Sequence, residues 1–254
     1  MTWFRETLSR SRPPLGTWVK LPTIESVELL AIAGFDFVVI DLEHSPMSLE
    51  SVSALVAMAR ARSLCALVRV PDHTSVWIQR CLDLGAAGVV VPHVDDAEQA
   101  RVVGRAARFE PRGTRGVGPT SRAGDWGLIP QPDYLAQQDQ VVVIAQIESP
   151  AGLANAADII ADPNIDALFV GPADLGQALG VTNDSSELTD AMTQVSRVAH
   201  AASLPVGIAV GAVAARAADL VSHDFDFVMV SNDATILGSG AASLTSGYRD
   251  ACGH

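Results

Sequence analysis

Phe35-Asp36-Phe37-Val38-Val39-Ile40-Asp41-Leu42-Glu43-His44-Ser45-Pro46 carries the reading of the fold. Its first half is a continuous apolar run rich in β-branched and aromatic side chains. Such a run forms a strand buried on both faces, as in a parallel sheet. The second half changes character within one residue: Asp41, Glu43 and His44 arrive together, and Pro46 ends the extended run. Two carboxylates and an imidazole at the end of a buried strand are costly unless they are used there. In parallel α/β folds the C-terminal strand ends are where catalytic groups collect. The plainer reading makes Asp41 and Glu43 a solvated turn or a cap for the next helix.

The same pattern recurs on both sides of this stretch. Apolar runs at 16–19, 65–70, 88–92, 141–147, 167–170, 206–209 and 225–230 read as seven more strands. Helical spacing fills the gaps, as at 48–62, where Leu49, Val52, Leu55 and Val56 share one face. Eight strands alternating with helices predict an α/β fold, a (β/α)8 TIM barrel, for which about 250 residues is typical. The chain has 254 residues and is expected to form one such domain over 1–254. The alternative is an open doubly wound sheet, but no GxGxxG follows a first strand. Only the segment 110–139, rich in Gly, Pro, Arg and Asp, breaks the rhythm, and an irregular connection of that length is usually functional or an assembly element.

A net charge of −12 argues against a nucleic-acid surface. No apolar run approaches the length of a membrane-spanning helix, so no membrane partner is expected. The start of the chain carries Arg5, Arg10 and Arg12 and no long apolar stretch, which does not read as a secretory signal. Cys65, Cys81 and Cys252 form no CxxC pair and read as reduced thiols of a cytoplasmic protein. Lys20 is the only lysine, so Schiff-base chemistry has one candidate.

In a barrel the C-terminal strand ends share one mouth. Strand 1 brings Lys20; strand 2 brings Asp41, Glu43 and His44; strand 3 brings Arg69. Strand 5 brings Gln146 and Glu148, and strand 6 brings Gly171, Pro172, Ala173 and Asp174. Two carboxylates on neighbouring strand ends repel unless a cation sits between them. Glu148 and Asp174 therefore read either as oxygen ligands for Mg²⁺ or Mn²⁺ or as caps of the helices that follow them. Arg69 either grips a carboxylate or enolate oxygen or pairs with Asp41. His93 follows strand 4 and can line the same mouth. Asp83, near a helix end, reads as a solvated acid with nothing in the sequence to link it to His44.

The segments IDLEHSP, LVRVP, CLDLGAAGVVVPHV, GTRGVGP, AQIES and FVGPADLG, in this order between residues 16 and 233, resemble the HpcH/HpaI aldolase family. These are metal-dependent class II pyruvate aldolases on the phosphoenolpyruvate/pyruvate-binding barrel, of the 4-hydroxy-2-oxoheptanedioate and 2-dehydro-3-deoxyglucarate aldolase type. The resemblance implies that Glu148 and Asp174 hold a divalent metal (Mg²⁺, Mn²⁺ or Co²⁺). It implies that Arg69 holds the pyruvyl oxygen, that His44 is the base for the hydroxyl proton, and that Asp83 is its acidic partner, within or across subunits. Asp41 and Glu43 would orient metal-bound waters and Arg69, and Gln146 with Gly171, Pro172 and Ala173 would hold the pyruvate carboxylate. Trp18, Lys20, Val117 and Ala209 would border the aldehyde. The implied reaction is reversible cleavage of a 4-hydroxy-2-oxo acid to pyruvate and an aldehyde through a metal-stabilised enolate, in a homo-oligomer, a hexamer in the family.

Alternatives on the same site are an oxaloacetate decarboxylase or another 2-oxo acid lyase, and a Schiff-base aldolase using Lys20. Three positions depart from the family pattern: Ala173 where serine is frequent, Ala209 where leucine is common, and Lys20. The small Ala209 side chain is expected to admit bulkier aldehydes. Lys20 at the rim is expected to meet a distal carboxylate or hydroxyl.

Overall fold

The computed structural model describes residues 2–253. Met1 and His254, the ends of the expected domain, lie outside the described residues. Eight strands form the wall: β1 Leu15–Val19, β2 Phe37–Asp41, β3 Cys65–Arg69, β4 Gly88–Val91, β5 Val142–Ile147, β6 Ala167–Val170, β7 Val206–Val210 and β8 Phe227–Asn232. All pair in parallel and in chain order, and β8 closes on β1. This is the expected (β/α)8 TIM barrel.

Strands β2 and β8 begin two residues later than their apolar runs, because an acid intervenes at each start. Asp36 accepts a hydrogen bond from the Leu15 amide (2.9 Å), and Asp226 accepts one from the Val206 amide (2.8 Å). Asp166, just before β6, does the same for the Val143 amide (2.7 Å). Each acid thus clasps an amide at the start of the preceding strand, at the floor of the barrel: the first residue of β1 and of β7, and the second of β5. Each also has a cationic partner or a histidine: Arg10 and Arg12 for Asp36, Arg5 and Arg108 for Asp166, His200 for Asp226.

Inside the barrel the inward side chains include Phe37, Leu67, Ile144, Phe169 and Phe227. The short helix Phe4–Leu8 lies beneath them and inserts Phe4, whose ring meets Phe37 and Phe227 edge-on at 5.1 Å each. Room for two of these rings comes from glycine: a Cβ on Gly16 would fall 2.3 Å from Phe37, and one on Gly207 2.1 Å from Phe227. The outward faces of the strands pack on the surrounding helices in a second, larger core.

The irregular segment is tied down locally. It contains the helix Gln131–Ala136 and 3₁₀ turns, and Phe109, Ala123 and Tyr134 form a small core of their own. Arg115 stacks over Phe109 at 4.7 Å. Cys65 and Cys81 are buried, and burial pushes each thiol up to about 12; Cys252 is exposed.

The last helix, Asp233–Cys252, leaves the barrel. Asp233 is its one buried residue among those described, and Leu237, Leu244 and Tyr248 are exposed. Where an eighth helix would cover β8, an apolar groove of about 370 Å³ is lined by Leu15, Val213, Ala217, Val221, Val228 and Ile236. No helix among the described residues is long and apolar enough to cross a membrane.

Candidate active site

The ends of β2 and β3 are in register, Asp41 beside Arg69. The Arg69 guanidinium donates from Nε to Asp41 Oδ1 (2.9 Å) and from Nη2 to Asp41 Oδ2 (2.8 Å). Its Nη1 lies 2.9 Å from Glu43 Oε2 but is not aligned as a hydrogen bond. Its face covers the Trp18 ring at 4.1 Å. Lys20 donates from Nζ to Asp41 Oδ2 (2.8 Å) and to the His44 carbonyl (3.4 Å). Burial alone would raise the Asp41 carboxyl, but the hydrogen bonds and charges of Arg69 and Lys20 outweigh it and bring it down to about 2. The Asp41–Arg69 ion pair is therefore present, and it fixes the guanidinium at the mouth.

Acidic groups meet further round the mouth, beyond β4 and β5. Glu148, just beyond β5, is 2% exposed. Its Oε1 accepts from the His93 amide (2.8 Å), and its Oε2 accepts from Gln146 Nε2. Gly171 lies close against it, since a Cβ there would come within 2.7 Å of Glu148 Oε2. Burial raises the Glu148 carboxyl above its ordinary value; the hydrogen bonds of Gln146 and His93 oppose the rise, and the like charge of Glu43 adds to it. His93 holds a left-handed backbone (φ 51°), with Nδ1 3.3 Å from Glu148 Oε1 and Nε2 3.8 Å from Glu43 Oε1. A non-glycine residue kept at positive φ is a local cost that marks functional positions.

Ligand atoms of Glu43, His93 and Glu148 lie within 4.8 Å of one another. The buried Gln146 Oε1 and Glu43 Oε2 have no hydrogen-bond partner. Two carboxylates with an imidazole and unsatisfied oxygens nearby are a donor set that fits a divalent cation.

A cavity of about 590 Å³ opens over these groups. Of the residues expected from the sequence, Trp18, Lys20, His44, Arg69, Gln146, Gly171, Pro172, Ala173, Asp174 and Ala209 line it. Asp174 is exposed in the first turn of the helix Pro172–Leu179. Glu43, expected behind the ligands, lies with His93 and Glu148 in a group of side chains able to hold a metal ion. His44 Nε2 has Glu43 Oε2 at 3.7 Å. Within one chain Asp83 accepts from Arg115 Nη2 (2.8 Å) and does not line the cavity. Val117 is 51% exposed in the irregular segment and does not line it either. Lys20, expected to be available at the rim, is engaged by Asp41. Sequence reading passed over Arg216 and Ser231, which also line the cavity. The polar Ser231-Asn232 pair directly after the eighth apolar run was the available signal for the second.

The sequence model of the HpcH/HpaI aldolase/citrate lyase family matches residues 15–234. A hydroxypyruvate/pyruvate aldolase of Delftia acidovorans is 34% identical over 97% of this chain and 92% of its own length. A 4-hydroxy-2-oxovalerate aldolase of Rhodococcus jostii is 36% identical over 96% of this chain and 95% of its own. Among solved structures, a HpcH/HpaI aldolase/citrate lyase family protein from Burkholderia cenocepacia superposes with a TM-score of 0.89 at 31% identity, covering 96% of this chain and 98% of that one. With this barrel, this mouth and these relatives, the chain belongs to the HpcH/HpaI aldolase/citrate lyase family.

Proposed function

We propose that the protein is a class II pyruvate aldolase that reversibly cleaves a 4-hydroxy-2-oxo acid to pyruvate and an aldehyde. The observation that carries this reading is Arg69, held at the cavity by Asp41 beside the buried Glu148 cluster. Its contacts with Asp41 and Glu43 use at most three of five N–H groups, which leaves two for a substrate oxygen. Negative charge builds on the 2-oxo oxygen as the carbon–carbon bond breaks, and a preorganised guanidinium lowers that barrier. The backbone amides of Ala173 and Asp174 open the helix Pro172–Leu179 and suit the carboxylate of the oxo acid. His44 takes the proton of the 4-hydroxyl. Glu148 with Asp174, Glu43 and His93 would hold the divalent cation, which when bound acts as a Lewis acid on the 2-oxo group. With its ammonium spent on Asp41, Lys20 makes a poor Schiff-base nucleophile. The homologous aldolases of Delftia and Rhodococcus support the same reaction class.

The test is metal binding read together with turnover. Mn²⁺ titrated by electron paramagnetic resonance should bind the wild type, and Glu148→Gln should weaken binding by at least the 10- to 100-fold typical of losing a supporting group. Cleavage that persists undiminished in excess EDTA would sink the reading.

The same proposal includes self-assembly. The C-terminal helix exposes Leu237, Leu244 and Tyr248, while the apolar groove beside β8 has no helix over it. One surface matches the other in kind, so a second copy can cover both, and the hexamer of the family resemblance is one closed form. Light scattering coupled to size exclusion should give a multiple of 26.6 kDa; a monomeric mass at micromolar concentration would contradict assembly. The three free cysteines suit a reducing, cytoplasmic setting.

A further inference from the structure

The turn that carries His93 is held from outside the cavity. Strand β4 ends at Val91, and Pro92 follows it with no N–H to donate. His93 then turns the chain with a left-handed backbone (φ 51°), a conformation that costs free energy in any residue with a side chain. Such a turn persists only where its surroundings over-determine it. Two anchors come from the β5 side. The His93 amide donates to Glu148 Oε1 (2.8 Å), and the Val94 amide donates to the Gln146 carbonyl (3.3 Å).

A third anchor comes from the β3 side, from the loop that leads into the helix Ser75–Asp83. His73 Nε2 lies 2.7 Å from the Pro92 carbonyl oxygen. A carbonyl only accepts, so Nε2 carries the proton and donates. It can do so in the neutral and in the charged imidazole, which makes the contact a fixture rather than a pH switch. The loop is itself braced, since Asp72 Oδ1 accepts from the Thr74 amide (2.8 Å) and from Thr74 Oγ1 (2.6 Å). His73 does not line the cavity. The Pro92 carbonyl and the His93 amide belong to one planar peptide group, and they point to opposite sides of it. His73 thus grips one edge of that plane and the buried Glu148 carboxylate the other. Turning the plane over would bring His93 back to a negative φ and relieve its strain. It would also break both contacts and aim a carbonyl oxygen at Glu148 in place of an N–H.

We propose that His73 is a positioning residue for Glu148: it locks the Pro92–His93 peptide in the orientation that turns the His93 amide onto that carboxylate. The proposal rests on the aldolase reading for the task of Glu148, which is to hold the divalent cation. To that reading it adds a side chain outside the cavity on which the task depends.

The experiment uses three variants of the full chain. His73→Ala and His73→Met both remove the donor, the second while keeping most of the side-chain bulk. His73→Gln keeps an N–H at about the reach of imidazole Nε2 but cannot act as a general acid or base at neutral pH. Two readouts are taken. Amide hydrogen–deuterium exchange of the metal-free protein, followed by mass spectrometry on peptides that span 92–94, reports the turn directly. Mn²⁺ titrated by electron paramagnetic resonance reports what the turn does for Glu148. One neutral hydrogen bond is worth about 3- to 10-fold. His73→Ala and His73→Met should therefore speed exchange at 92–94 by about that factor, leave exchange in the other strand ends unchanged, and weaken Mn²⁺ binding by about the same factor. His73→Gln should return both to within about twofold of the wild type. Unchanged exchange at 92–94, unchanged Mn²⁺ affinity, or a glutamine that restores neither overturns the positioning role and leaves the aldolase reading intact. A wild type that binds no Mn²⁺ overturns the aldolase reading and the proposal with it.

Discussion

Arg69→Ala is expected to lower turnover by about 10²- to 10³-fold, the usual cost of removing one preorganised donor from a developing oxyanion. Most of the loss should fall on kcat, because the guanidinium matters most when the 2-oxo oxygen becomes an enolate oxygen. Arg69→Lys should recover only part of it. An ammonium cannot reproduce the fork that holds Asp41 at 2.9 and 2.8 Å while still facing the cavity. Steady-state kinetics in the cleavage direction, with far-UV circular dichroism to check folding, measure both variants. A variant with unchanged kcat would remove Arg69 from the chemistry.

The second large effect is on stability. Arg108 is 1% exposed, and its guanidinium pairs with Asp166 Oδ2 at 2.6 Å. Its other acceptor is the Asn164 carbonyl at 3.4 Å, and its Nε and Nη1 have none. Burial pulls the Arg108 guanidinium below its ordinary range, and Asp166 is what opposes that pull. Asp166→Ala leaves a buried cation unpaired and frees the Val143 amide. Breaking a buried pair from one side costs about 3–5 kcal/mol. Urea unfolding should show that loss as a lower midpoint with an unchanged slope. The double variant Asp166→Ala/Arg108→Met should recover a large part of it, because the stranded charge is gone. If the single variant unfolds like the wild type, the pair does not hold the floor.

The barrel was legible because its eight strands are apolar on both faces, and such runs stand out whatever their neighbours. The strand ends were legible for the same reason: Asp41, Arg69, Gln146 and Glu148 interrupt apolar runs. What could not be read was pairing across distance. Nothing near Asp166 in the chain announces Arg108, 58 residues away, or the backbone amide it clasps. Lys20 looked available because its partner, Asp41, lies on the next strand. His93 drew less notice than Glu148 because its position depends on a left-handed turn that no single residue type announces. Arg216 sits among alanines on a helix with no motif, and only barrel closure brings it to the mouth.

Phe4 and the rings above it stop the lower end of the cylinder. A sealed base means that traffic runs through one doorway. The buried seat at Gln146 and Glu148 is at the back of the room, and Arg216 stands by the entrance. Anything seated at the back has to pass that entrance on its way in and out.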